Sequence, residues 1–251
     1  MKTRLLFTLL INLLISTVVL SQNNNEQKTE IEDIGGYINF SGGLAFPKKE
    51  FSRGGTFLKE GGHADVGFYG EIFISGQIYD KLKPLSINAC GLFSGSNYGT
   101  YYDSIVEMIP NIDTNYDWEL DISGWKINSL QFGISPELQI FKFLSINGKI
   151  LGGGSYIKSP GIEAKTMYNG TEYVYTTESE ENYAFSYTIG ACIIIKITKN
   201  IGIIFSWNYF GAAARFTSTG IPDQLQYTEI HKPTYLQKFK SEIYTIGISL
   251  F

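Results

Sequence analysis

One stretch limits the fold more than any other. In residues 65–78, DVGFYGEIFISGQI, one parity holds Val66, Phe68, Gly70, Ile72, Ile74, Gly76 and Ile78, and the other Asp65, Gly67, Tyr69, Glu71, Phe73, Ser75 and Gln77. A two-residue period over that length describes a β-strand with one apolar and one more polar face; a helix repeats every 3.6 residues and cannot keep it. The period recurs along the chain. It predicts eight strands, over residues 36–46, 65–78, 85–96, 129–140, 144–157, 183–197, 201–211 and 240–250.

The connections carry a second period. Long ones fall near 47–64, 97–125, 158–182 and 216–236, and short ones near 79–84, 141–143 and 198–200. Up-and-down pairing then gathers the long connections at one end and the turns, with both strand termini, at the other. Two barrels fit eight such strands. In a soluble, lipocalin-type barrel the apolar face lines the inside; in a membrane barrel it faces lipid. The polar parity carries Glu71, Glu137, Lys149 and Lys196 but is otherwise mostly Gly, Ser, Ala and Asn. Small polar residues suit a narrow hydrated interior better than a solvated surface, which holds more charge. Short turns opposite long loops also mark an outer-membrane barrel, and the expectation is an all-β, eight-stranded antiparallel transmembrane β-barrel over residues 36–251. Aromatics near strand ends, among them Phe46, Tyr79, Trp125, Phe141, Tyr156, Tyr183 and Tyr244, fit interfacial belts.

The N-terminus fits export. Lys2 and Arg4 precede an uncharged run, Leu5–Leu20, and Val19 and Ser21 are small residues before Gln22. We read 1–21 as a cleaved signal peptide and the polar residues 22–35 as a periplasmic leader.

Composition narrows the chemistry. A net charge of −4 argues against a nucleic-acid partner. Two cysteines and two histidines leave no disulfide framework, cysteine-rich zinc module or His-rich metal centre. No glycine-rich phosphate loop opens a helix and no Gly-x-Ser-x-Gly elbow occurs, so neither a cofactor nor a catalytic residue is expected. His63 and His231 read as solvated loop histidines. Asp113, Asn115, Asp117 and Glu119 alternate, and the first three match the start of a calcium loop, but Trp118 and Gly124 stand where glycine and glutamate are needed; a solvated acidic loop is the reading. Glu178, Glu180 and Glu181 read likewise, and Asn169-Gly170 as a tight turn. Cys90 and Cys192 share the polar parity on the third and sixth strands. A barrel about 16 Å across holds those strands about 15 Å apart, too far for a disulfide, so free buried thiols are expected.

With its export signal, eight amphipathic strands, GISPELQIF at 133–141 before a tight turn, and a last strand EIYTIGISLF ending at Phe251, the chain resembles the small Gram-negative outer-membrane β-barrel proteins, the porin-like family with OmpA- and OmpX-type eight-stranded barrels. The resemblance implies residence in the cell outer membrane, contact with its lipid and with the barrel-assembly machinery, and an assembly signal at Phe251. Phe251 does not share the parity of Ile246, Ile248 and Leu250. For function it implies a non-enzymatic scaffold whose four long loops meet an extracellular or envelope partner, or alternatively a narrow gated pore or a transport or secretion accessory.

Four charges are expected inside: Glu137 and Lys149 as a luminal ion pair across the 141–143 turn, with Glu71 and Lys196 as further luminal charges.

Overall fold

The computed structural model describes residues 35–52, 62–82, 84–100, 118–168, 171–217 and 234–251. The strands, in chain order, are β1 (Gly36–Pro47), β2 (Ala64–Leu82), β3 (Leu85–Thr100), β4 (Trp118–Ile122), β5 (Trp125–Phe141), β6 (Leu144–Lys158), β7 (Ile162–Tyr168), β8 (Thr171–Thr177), β9 (Glu181–Lys196), β10 (Ile201–Thr217) and β11 (Thr234–Leu250). Eight of them close a barrel in the order β1-β11-β10-β9-β6-β5-β3-β2. Omitting β4, β7 and β8, each strand is hydrogen-bonded to the next in sequence, and β1 seals against β11 from Ile38↔Leu250 to Pro47↔Ser241. The eight barrel strands are those read from the alternation.

Three features go beyond that reading. First, the strands are longer at the loop end: β10 and β11 stay paired as far as Thr217↔Thr234. Second, β4, β7 and β8 form their own antiparallel sheet, where the sequence reading has only loops. This sheet continues the β5–β6 ladder. Beyond Lys126↔Lys158, the Ser123 amide donates to the Gly161 carbonyl at 3.0 Å, and pairing resumes at Ile122↔Ile162. β8 then pairs with β7 from Ile162↔Thr177 to Tyr168↔Thr171; Asn169 and Gly170, read as a turn, lie outside the described residues. Third, a short 3-10 turn, Lys49–Phe51, follows β1, with Lys49 at φ 53°. It directs Phe51, fully buried, into the barrel mouth.

The turn end is tight. Phe141 pairs with Leu144, and Phe141 and Phe143 stack at 5.5 Å across the turn. Closure leaves the barrel no free edge, so opening it requires breaking a whole ladder. The folded protein is therefore expected to resist mild detergent at room temperature and to migrate differently on gels before and after boiling; identical mobility would contradict a closed barrel.

Candidate functional site

The interior is built from the parity that the sequence marks as polar. At its centre stands Glu71 on β2. Its carboxylate accepts from Ser41 Oγ at 2.9 Å, Tyr69 OH at 2.9 Å, Asn208 Nδ2 at 3.3 Å and Lys149 Nζ at 3.3 Å. Ser41 is its register partner on β1. Asn208 on β10 and Lys149 on β6 each lie three places away around the ring, so both reach across the lumen. The two charged side chains are wholly buried. Lys149 also passes over the Phe73 ring, 4.5 Å from its centroid. Gly190 opposes both Lys149 and Asn208. A Cβ there would collide with Asn208 Oδ1 and the Trp207 carbonyl, so glycine at this inward position leaves Asn208 its place.

The expected ion pair is therefore redirected. Among the described residues, Lys149 pairs with Glu71 and not with Glu137. Glu137 opposes Asn147, which places Lys149 on the diagonal, where neighbours lie about 7–8 Å apart. Glu137 instead accepts from Asn88 Nδ2 at 3.1 Å, toward the turn end. Lys196 lies at the base, its Nζ 4.9 Å from the centre of the Phe251 ring.

Apolar layers also lie above and below the charged one. At the loop end Phe51 meets Tyr98 and Phe239 at 4.9 Å each and Trp125 at 5.9 Å, all edge-on. Trp125 Nε1 donates to the Gly62 carbonyl at 2.6 Å, just before β2 begins, and Tyr98 OH donates to Ser241 Oγ at 2.8 Å, tying β3 to β11 across the mouth. At the base Tyr37, Phe73, Leu92, Leu151, Ile194 and Ile204 form a second cluster with Phe251 against it. There Asn147 Nδ2 donates to Tyr37 OH at 2.7 Å, between strands on opposite sides of the ring. Cys90 and Cys192 are free and buried in the same cluster.

The outward face is the reverse. Phe40, Phe68, Ile74, Phe93, Leu130, Phe132, Ile150, Phe185, Ile189, Ile246 and Ile248 are all exposed, while Asn39, Gln131, Ser135, Asn147, Ser186, Asn208 and Ser249 are fully buried. Water would reject so continuous an apolar surface, whereas hydrocarbon requires it. This is a membrane barrel. The soluble, lipocalin-type alternative has its apolar parity on the wrong side. Above the apolar belt of the membrane barrel the surface turns charged. Lys158 pairs with Glu181 at 3.0 Å, and this lysine with the Tyr156 hydroxyl holds the Glu181 carboxyl below its ordinary range, the tyrosine hydrogen bond contributing most.

The loop candidates divide. His63 is not solvated: it is 3% exposed, with φ 46°, next to Gly62, whose carbonyl accepts from Trp125 Nε1. His231, Asp113, Asn115 and Asp117 lie outside the described residues. Glu119 is exposed on β4, opposite Lys165, and Lys165 pairs with Glu163 at 2.5 Å. Glu178 and Glu181 are exposed and Glu180 half-buried. No grouping of three or more His, Cys, Asp or Glu suited to a metal occurs among the described residues.

No family model matches the chain, and no curated protein does. Among solved structures, the barrel is similar to Ail, the attachment invasion locus protein of Yersinia pestis, at 15% identity over 86% of this chain and 99% of that one, with a TM-score of 0.39. It is similar to Neisserial surface protein A at 12% identity, over 86% and 97% of the two chains, TM-score 0.38. A third is the outer membrane protease OmpT of Escherichia coli, at 8% identity over 88% and 100%, TM-score 0.40. These likenesses transfer no residue's role to this chain.

Proposed function

We propose that this membrane barrel is exported by a cleaved leader at 1–21 and sits in a bacterial outer membrane as a non-enzymatic surface scaffold. The barrel is the anchor; the loop end meets a partner. Phe251, at the end of the closing strand, serves as the signal to the barrel-assembly machinery. The observation that carries the reading is the filled lumen. An aromatic layer around Phe51, the Lys149–Glu71 layer and the cluster around Tyr37 stand one above another where a channel would need water. Eight strands give an interior that side chains can fill, and open aqueous channels use 16 or more. The sheet of β4, β7 and β8 adds a platform at the loop end. Five residue pairs join β4 to β7, about 17 Å at 3.4 Å per residue. Glu119, Asp121, Met167, Val174 and Thr176 are exposed on it.

The test has two arms. Purified barrel in a planar bilayer is expected to show no steady conductance, and crosslinking on intact cells is expected to capture a partner that is lost when residues 162–177 are replaced by a short linker. A large steady wild-type current would replace the scaffold by a pore. An unchanged capture would move the contact off this sheet.

A further inference from the structure

The lipid-facing surface is not uniform. Along the upper half of β6 the outward positions are Gly152 and Gly154, between Leu130 and Phe132 on β5 and Phe185 and Tyr187 on β9. The missing side chain at Gly154 leaves a groove of about 400 Å³ between Leu130 and Phe185. A Cβ on Gly154 would have nothing within 4 Å, while one on Gly152 would approach the Phe185 ring at 3.2 Å. So the groove is open at Gly154 and bounded by Phe185 below it. At its head Tyr156 and Tyr183 pair at 5.5 Å.

Above the tyrosines the same outward row holds Lys126, Lys158 and Glu181 on adjacent strands, with Lys126 directly opposite Lys158. Like charges facing each other across a ladder destabilise it. Glu181 answers Lys158 at 3.0 Å; Lys126 has no carboxylate within ion-pair distance among the described residues. The row is thus one negative charge short, and it caps an apolar groove at the depth where an acyl chain meets its headgroup. A second outward groove, of about 490 Å³ around Gly42 and Gly70, lacks this feature. The outward positions above it are Leu44, Phe46, Val66 and Phe68.

We propose that the β6 groove is a docking site for a phosphorylated acyl glycolipid of lipid A type. One acyl chain lies over Gly154 between Leu130 and Phe185, and a phosphate sits between Lys126 and Lys158. Charge complementarity selects the anionic head. The position at the loop end selects the outer leaflet, and in this the proposal rests on the outer-membrane reading above.

The experiment is native mass spectrometry of the folded barrel in mild detergent, titrated separately with bisphosphorylated lipid A, phosphate-free lipid A and phosphatidylglycerol. One bisphosphorylated lipid A per barrel is expected. Each lysine near a membrane surface contributes several-fold toward anionic lipid, so Lys126→Gln with Lys158→Gln should weaken retention about tenfold or more. Gly154→Leu, which fills the groove without a clash, should weaken it comparably, and Gly70→Leu, in the second groove, should leave it unchanged. Gel mobility before and after boiling confirms that each variant is folded. Equal retention by the lysine double variant, equal loss in Gly70→Leu, or equally tight binding of phosphatidylglycerol or the phosphate-free lipid would overturn the site. Cell fractionation of the same samples separates the two failures: a folded barrel absent from the outer-membrane fraction sinks the location, and the titration still reports on the groove.

Discussion

Glu71→Gln is expected to lower the unfolding free energy of the barrel by about 3–5 kcal/mol, the usual cost of removing one partner from a buried ion pair. The reason lies in what remains. Lys149 is wholly buried, and among the described residues its only anionic contact is Glu71 Oε1 at 3.3 Å. The Phe73 face, at 4.5 Å, contributes a weaker attraction to the ammonium. An amide at position 71 leaves that charge uncompensated. Lys149→Met should cost clearly less, because Glu71 keeps three neutral donors, Ser41, Tyr69 and Asn208. Combining the two substitutions should recover most of the loss, since the pair as a whole contributes little once desolvation is counted. Glu137→Gln should be nearly silent, because Asn88 can donate to an amide oxygen as it does to the carboxylate. Urea unfolding in lipid vesicles measures all four. If Glu71→Gln and Glu137→Gln unfold alike, Lys149 does not depend on Glu71.

The contrast between those two glutamates shows where a sequence stops being readable. Local pairing was accessible: alternation placed Glu71, Glu137, Lys149 and Lys196 on the inward parity, and the structure keeps them there. Which of them meet was not. That depends on how far neighbouring strands are staggered around the ring, and nothing in a strand's own residues states it. A hairpin partner such as Glu137 looks nearest on paper, yet Lys149 reaches across the lumen to Glu71, whose carboxylate also gathers Ser41, Tyr69 and Asn208. The missed sheet had a local signal. Trp118-Glu119-Leu120-Asp121-Ile122 alternates as cleanly as a barrel strand, but its charges read as a solvated acidic loop. Likewise the alternation fades at Gly211 although β10 runs to Thr217, because Ala212-Ala213-Ala214 carries no contrast between faces. Phe51 gave no signal at all. A single aromatic in a long connection is unremarkable until the turn before it aims it into a barrel mouth.

That residue carries the other large effect. Phe51→Ala should destabilise the barrel by about 3–5 kcal/mol, the range for truncating a buried phenylalanine. The side chain is fully buried and contacts Tyr98, Trp125 and Phe239 edge-on, each geometry worth about 0.5–1.5 kcal/mol beyond area burial. Collapse cannot refill the gap easily, because those three rings project from β3, β5 and β11, whose backbones are fixed by closure. The loss should appear in the unfolding midpoint without a change in gel behaviour at room temperature, since every ladder survives. It should not produce a current. Below Phe51 the Lys149–Glu71 layer and the Tyr37 cluster still fill the lumen, so planar-bilayer recordings of Phe51→Ala should match wild type. Even Phe51→Ala combined with Glu71→Ala and Lys149→Ala, which thins the two upper layers, should stay closed while the Tyr37 cluster fills the base. If Phe51→Ala alone conducts, the aromatic layer is the only barrier, and the layers beneath it admit ions.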